Sequence, residues 1–104
     1  MADLRAIQRA FRDGDFRLTV HGSQELTADD LSVRDAVNAI LSSEVEVIED
    51  YPNDLRGSCC LVAGTIKGGE YIRLVVSYPP RPKVITGYRL NPDEWEDFRT
   101  RRQP

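Results

Sequence analysis

The sequence predicts an α+β domain, with N-terminal helices packed on a C-terminal antiparallel sheet. Three observations carry this. Apolar residues recur at helical spacing up to Leu41, the period changes to two from Val45 onward, and a Gly-Gly pair separates two long apolar runs. The sheet is expected to be a meander of three to four strands. At 104 residues, with 40% hydrophobic and 30% charged side chains, the chain is expected to form a single domain over 1–104. A domain of this size buries enough surface to fold without metals or disulfides.

Leu4, Ile7, Ala10 and Phe11 fall on one face of a first helix over about 3–13, with Asp3 as N-cap and Gly14 as its stop. Phe16-Arg17-Leu18-Thr19-Val20 alternates apolar with polar and predicts a short strand or extended segment that delivers His21. A short helix follows over 22–28, anchored by Leu26, and Asp29-Asp30 breaks it. Ser32 then caps a helix carrying Val33, Ala36, Val37, Ile40 and Leu41 at i, i+3, i+4, i+7, i+8, with Asp35 completing a capping box and an end near Ser42.

From Val45 the pattern sets Val45, Val47 and Glu49 against Glu46, Ile48 and Asp50, a half-exposed strand closed by the turn Tyr51-Pro52-Asn53-Asp54. Residues 59–66 and 71–78 flank Lys67-Gly68-Gly69-Glu70, whose glycines supply positive φ for a tight hairpin. Pro79, Pro80 and Pro82 cannot sit inside a ladder, so they form the connection to a further strand over 83–89. Asn91-Pro92 reads as the capped start of a last helical turn, with Trp95 and Phe98 closing over the sheet and 99–104 as a frayed basic end.

Composition bears on compartment and partners. No apolar run reaches the roughly 18 residues that cross a bilayer, and residues 1–5 lack the apolar core of a signal peptide, so a cytoplasmic protein is expected. Cys59 and Cys60 are adjacent and point to opposite faces of a strand. They read as two reduced thiols, one of them in the core; a vicinal redox pair or metal pair is the alternative, and no further ligands stand at metal spacing. The net charge of −3 is uneven: residues 1–52 hold eleven acidic and five basic side chains (−6), residues 53–104 six and nine (+3). A polyanion, if bound at all, would therefore meet the sheet half; the alternative reading is solvated surface charge.

The order His21-Gly22, helix, Ser32, helix, acidic strand ending Tyr51-Pro52, Gly-Gly hairpin, and Val84-Ile85-Thr86-Gly87-Tyr88 before Pro92 and Trp95 resembles the domain of unknown function 4258 family over about 16–98. That family shows a His-Ala pair opening the first helix, an Arg four residues later, a second Arg further on, a His in the middle strand and Ile-Thr-x-Tyr in the last. His21 matches the first of these, and Thr86 and Tyr88 match the last. Glu25 stands where the first Arg is expected, Asp29 near the second, and Arg73 in place of the strand His. The family is similar to the small RNases and toxins of the barnase, EndoU, colicin and RelE-type sheet fold. The resemblance implies RNA cleavage without metal or cofactor, the 2′-hydroxyl being activated against the adjacent phosphate.

Such chemistry needs a proton acceptor, a proton donor and a cation for the phosphorane charge. His21 is the only histidine and is the candidate for the proton transfers; the structural alternative is a histidine bonded to a backbone carbonyl. Arg73, in an apolar strand, is either a phosphate clamp or an ion-pair partner of Glu25, Glu46 or Glu49. Thr86 would orient a phosphate oxygen, and Tyr88 would donate a hydrogen bond or stack on a base; both are also ordinary strand residues. Thr86 and Tyr88 are expected on one face, opposite Ile85 and Gly87. Lys83, Arg89 and Glu25 complete the set as substrate contacts.

Two functions stand at this point. One is a toxin-type endoribonuclease, with RNA as substrate and an antitoxin as partner. The other is a non-catalytic protein-binding domain of a toxin–antitoxin-like or regulatory system, favoured by the net acidity and by Glu25 and Asp29 in place of basic residues. A small-molecule pocket in the sheet is a third option.

Overall fold

The structure is a computed structural model that describes residues 1–91. Three helices precede a sheet: α1 (Leu4–Arg12), α2 (Val20–Ala28) and α3 (Val33–Leu41), with β1 (Arg17–Leu18) between α1 and α2, then β2 (Glu46–Tyr51), β3 (Cys59–Thr65), β4 (Tyr71–Ser77) and β5 (Lys83–Arg89). The α+β class is as the sequence predicts. The sheet has five strands rather than three to four, in the order β1-β5-β4-β3-β2, and it is mixed. The antiparallel meander from β2 to β5 gains a parallel edge because Arg17 and Leu18 pair with Lys83 and Val84. The expected closing turn at Pro92, the packing of Trp95 and Phe98 and the basic end lie outside the described residues.

Local sequence sets the helix ends. Asp3 accepts the Ala6 N–H at 3.1 Å, and Ser32 and Asp35 form a reciprocal capping box with bonds of 3.0 and 2.9 Å. Thr19, read from the sequence as a strand residue, is the N-cap of α2: its hydroxyl accepts the Gly22 N–H at 2.8 Å. The helix therefore starts at Val20 and takes His21 into its first turn, while the preceding strand shortens to two residues. At the hairpin, Gly68 (φ +88°) and Gly69 (φ +79°) adopt the left-handed backbone, within a single 3₁₀ turn over Lys67–Gly69.

The helices lie on one face of the sheet. Ile7 and Phe11 of α1, Leu26 of α2, and Ala36, Ala39 and Ile40 of α3 share one core with Cys60, Val62, Ile72, Leu74, Val76 and Val84. Phe16 stacks on Phe11 with ring centroids 4.4 Å apart. The opposite face carries a smaller cluster of Cys59, Leu61 and Val75, flanked by Ile48, Tyr51 and Ile85.

Two bulges alter the alternation that the sequence predicts. In β2 the register shifts between Val47 and Glu49, which lie opposite Val62 and Leu61 and so on different faces. In β5, Val76 pairs with Val84 and Val75 with Thr86, leaving Ile85 as the extra residue. Ile85 consequently joins the cluster on Thr86's side of the sheet rather than opposing it. A strict period of two cannot reveal an inserted residue.

The seat of α2 is tight. A Cβ on Gly22 would come within 2.2 Å of the Val84 carbonyl oxygen, so only glycine lets the helix start lie on β5 undisturbed. Across the sheet, Asp50 accepts the Tyr78 hydroxyl and the Ala2 N–H, tying β2 to the end of β4 and to the N-terminus. The Tyr78 bond holds the Asp50 carboxyl below its ordinary value, and burial pushes the Tyr78 phenol up to about 12.

Gly22→Val should lower unfolding stability by about 2 kcal/mol, the usual cost of forcing extra atoms into a filled contact, read in urea melts against wild type. For Asp50 the folded pKa is depressed, so its contribution is present above the unfolded value of about 3.9 and is lost as pH falls through the folded value. Thermal midpoints should therefore drop from pH 6 to pH 2.5, and Asp50→Asn should show a smaller drop over the same range.

Candidate functional site

The pairing of β1 with β5 brings residues distant in sequence to one place. The Arg17 and Thr19 amides donate to the Pro82 and Val84 carbonyls at 3.0 and 3.1 Å, and the Thr19 hydroxyl reaches the Val84 and Ile85 carbonyls at 3.3 Å. The first turn of α2 thus stands beside the start of β5. Here Thr19, His21, Arg56, Ser77, Lys83 and Ile85 line an open pocket of about 410 Å³. Ile85 supplies an apolar wall, and three of the six lining side chains are basic.

His21 is exposed, with 64% of its side chain accessible, and its Nε2 lies 3.3 Å from Glu25 Oε1 one helical turn on. Glu25 is thus the carboxylate partner of this imidazole. The other partner that the sequence offers it, Arg73, sits on the sheet face away from the helices. Lys83, the first residue of β5, faces the same pocket as His21. Its amide donates to the Ser77 hydroxyl at 2.8 Å, which closes the connection between β4 and β5 beside the site.

Arg56 comes from the turn between β2 and β3. Asp54 grips it twice, Nε to Oδ1 at 2.9 Å and Nη2 to Oδ2 at 3.2 Å, and Oδ1 also accepts the Arg56 amide at 2.8 Å. This pairing lowers the Asp54 pKa and raises that of Arg56. Sequence reasoning passed over Arg56, Thr19 and Ser77. An Asp two residues before an Arg in a Pro-Asn turn, and a Thr directly before Val20, were the available signals for two of them; nothing local marks Ser77.

The remaining candidates lie elsewhere. Arg73 pairs with Tyr88 and Val75 with Thr86 across β4 and β5, so Arg73, Thr86 and Tyr88 share the sheet face away from the helices. Arg73 lies four residues from Ser77, about 13 Å along the strand, and none of the three lines the His21 pocket. Arg89 is bound up in a structural clamp. Its Nε and Nη2 donate to the Asp29 and Asp30 carbonyls at 2.8 and 2.9 Å, Nη1 pairs with Glu70, and its amide donates to Asp29 Oδ2 at 2.7 Å. Asp29 therefore ties the end of α2 to the end of β5.

Cys59 and Cys60 are free thiols, both fully buried, and they face opposite sides of the sheet. Burial raises both, Cys60 to about 12, which disfavours the thiolate needed for nucleophilic or redox chemistry. Among the described residues no group of three His, Cys, Asp or Glu side chains could hold a metal ion, and no helix is long and apolar enough to cross a membrane.

Comparison with curated proteins and with solved structures gives no match. A family described as Domain of unknown function (DUF4258) matches residues 18–89, from the last residue of β1 to the last of β5. The match takes in every residue lining the pocket and leaves α1 outside it. Since it spans well over half of the 104 residues, the chain belongs to the DUF4258 family.

Proposed function

We propose that this domain is a metal-independent endoribonuclease that cleaves RNA by general acid/base catalysis at the pocket around His21. The observation that carries the reading is the meeting of the one imidazole with Lys83 in a pocket open to a polymeric substrate. The helices-then-sheet order is in keeping with the RelE- and barnase-type RNases that the sequence resembles. The setting this implies is cytoplasmic, with an antitoxin as protein partner.

The roles follow from chemistry. Glu25 faces His21 Nε2, which leaves Nδ1 as the ring atom to accept the ribose 2′-hydroxyl proton. The 2′-oxygen attacks phosphorus, the bond from phosphorus to the 5′-oxygen breaks, and the imidazolium returns its proton to that leaving oxygen. The products are a 2′,3′-cyclic phosphate and a 5′-hydroxyl. The Lys83 ammonium offsets charge on the non-bridging oxygens. Thr86 and Tyr88, reached from the pocket along β5 past Ile85, would contact a flanking nucleotide, with the exposed Tyr88 ring offered to a base.

A second reading, a non-catalytic protein-binding domain, draws on the net charge of −6 over residues 1–52 and on the acidic partner of His21. Incubating purified protein with total RNA separates the two. The nuclease reading expects cleavage that falls at least 100-fold in His21→Ala, a KM rise in Lys83→Ala, and a few-fold loss in Glu25→Gln. No cleavage at any enzyme ratio, or equal cleavage by wild type and His21→Ala, would refute it.

A further inference from the structure

We infer that Arg56, held in place by Asp54, is the arm of the pocket that grips a backbone phosphate of nucleic acid. The inference rests on reading the pocket as a nucleic-acid site but not on cleavage. Arg56 belongs to a turn outside the sheet and helices, yet it reaches the same pocket as His21 and Lys83.

A guanidinium has five N–H donors in a fixed planar fork. The two bonds to Asp54 consume Nε–H and one Nη2–H. The guanidinium also hydrogen-bonds Cys59, and of its five donors those left over, at the end of the fork away from Asp54, suit the spaced oxygens of a phosphodiester. The two neighbouring carboxylates have settled partners, Asp54 on Arg56 and Glu25 on His21, so an incoming anion meets paired acids. An arginine side chain has large rotamer freedom to lose on binding, and a partner that fixes it beforehand removes part of that cost. Asp54 is thus a positioning residue: its negative charge opposes the ligand, while its geometry prepares the arginine.

These two effects have opposite signs, which makes the inference testable. The probe is a fluorescent single-stranded DNA decamer, whose missing 2′-hydroxyl removes the cleavage step, titrated at several salt concentrations. Arg56→Ala should weaken binding about tenfold and lower the slope of log affinity against log salt by about 0.7, one phosphate contact. Arg56→Lys should keep the slope and lose several-fold in affinity. Asp54→Asn should bind several-fold more weakly even though it makes the protein less negative. Arg34→Ala, an equal charge change on α3 outside the pocket lining, should bind as wild type. Absence of binding by wild type, tighter binding by Asp54→Asn, or equal weakening in Arg34→Ala and Arg56→Ala would overturn it. Failure of RNA cleavage alone, with these binding differences intact, would remove the nuclease reading and leave the phosphate arm.

Discussion

The whole site depends on the contact between α2 and β5. Two residues of β1 run parallel to the start of β5, Thr19 caps the helix while its hydroxyl touches β5 carbonyls, and Gly22 lets the helix backbone meet the Val84 carbonyl without an intervening Cβ. The far ends of the same two elements are fastened by Arg89, which bonds the Asp29 and Asp30 carbonyls. With α2 fixed on β5 at both ends, the backbone positions of His21 and Lys83 are set relative to each other. Preorganisation of this kind would serve the proton transfer proposed for His21.

Electrostatics at the pocket runs against the chain as a whole. The protein carries −3, yet among the described residues the pocket lining holds His21, Arg56 and Lys83 and no carboxylate. Local charge near a concave surface governs encounter with a polyanion more than the net charge does. Asp54 and Glu25, close in sequence to two of these basic groups, are turned toward them as partners. Pairing costs some attraction for an anion and supplies orientation in return, a trade that would suit the phosphate site proposed above.

The sequence carried the fold more clearly than the site. The capping box at Ser32, the Gly68-Gly69 turn and the period of two along β3 and β4 are local signals, and the structure has each of them. The parallel edge strand was not legible, because two residues have no measurable period and their partner lies more than sixty residues away. The bulges at Val47–Glu49 and at Ile85 were hidden for a related reason: an inserted residue changes register without changing composition. Among the site residues, His21 stood out by chemistry, and Lys83 was named only as a substrate contact. Arg73 stood out by being charged in an apolar strand, and it lies with Thr86 and Tyr88 on the sheet face beyond the pocket. Arg56 went unnoticed because a turn arginine is ordinary until the fold shows what it faces.

The claim that His21 and Lys83 serve one anion site is tested most directly by NMR. Uridine 3′-monophosphate would be titrated into labelled protein while the His21 ring nitrogens and the lysine side-chain resonances, assigned with Lys83→Arg, are followed together. Both residues should shift along one saturation curve with a single Kd, while Lys67 in the hairpin turn stays still. Movement of neither, or saturation of His21 and Lys83 at different concentrations, would contradict a shared site.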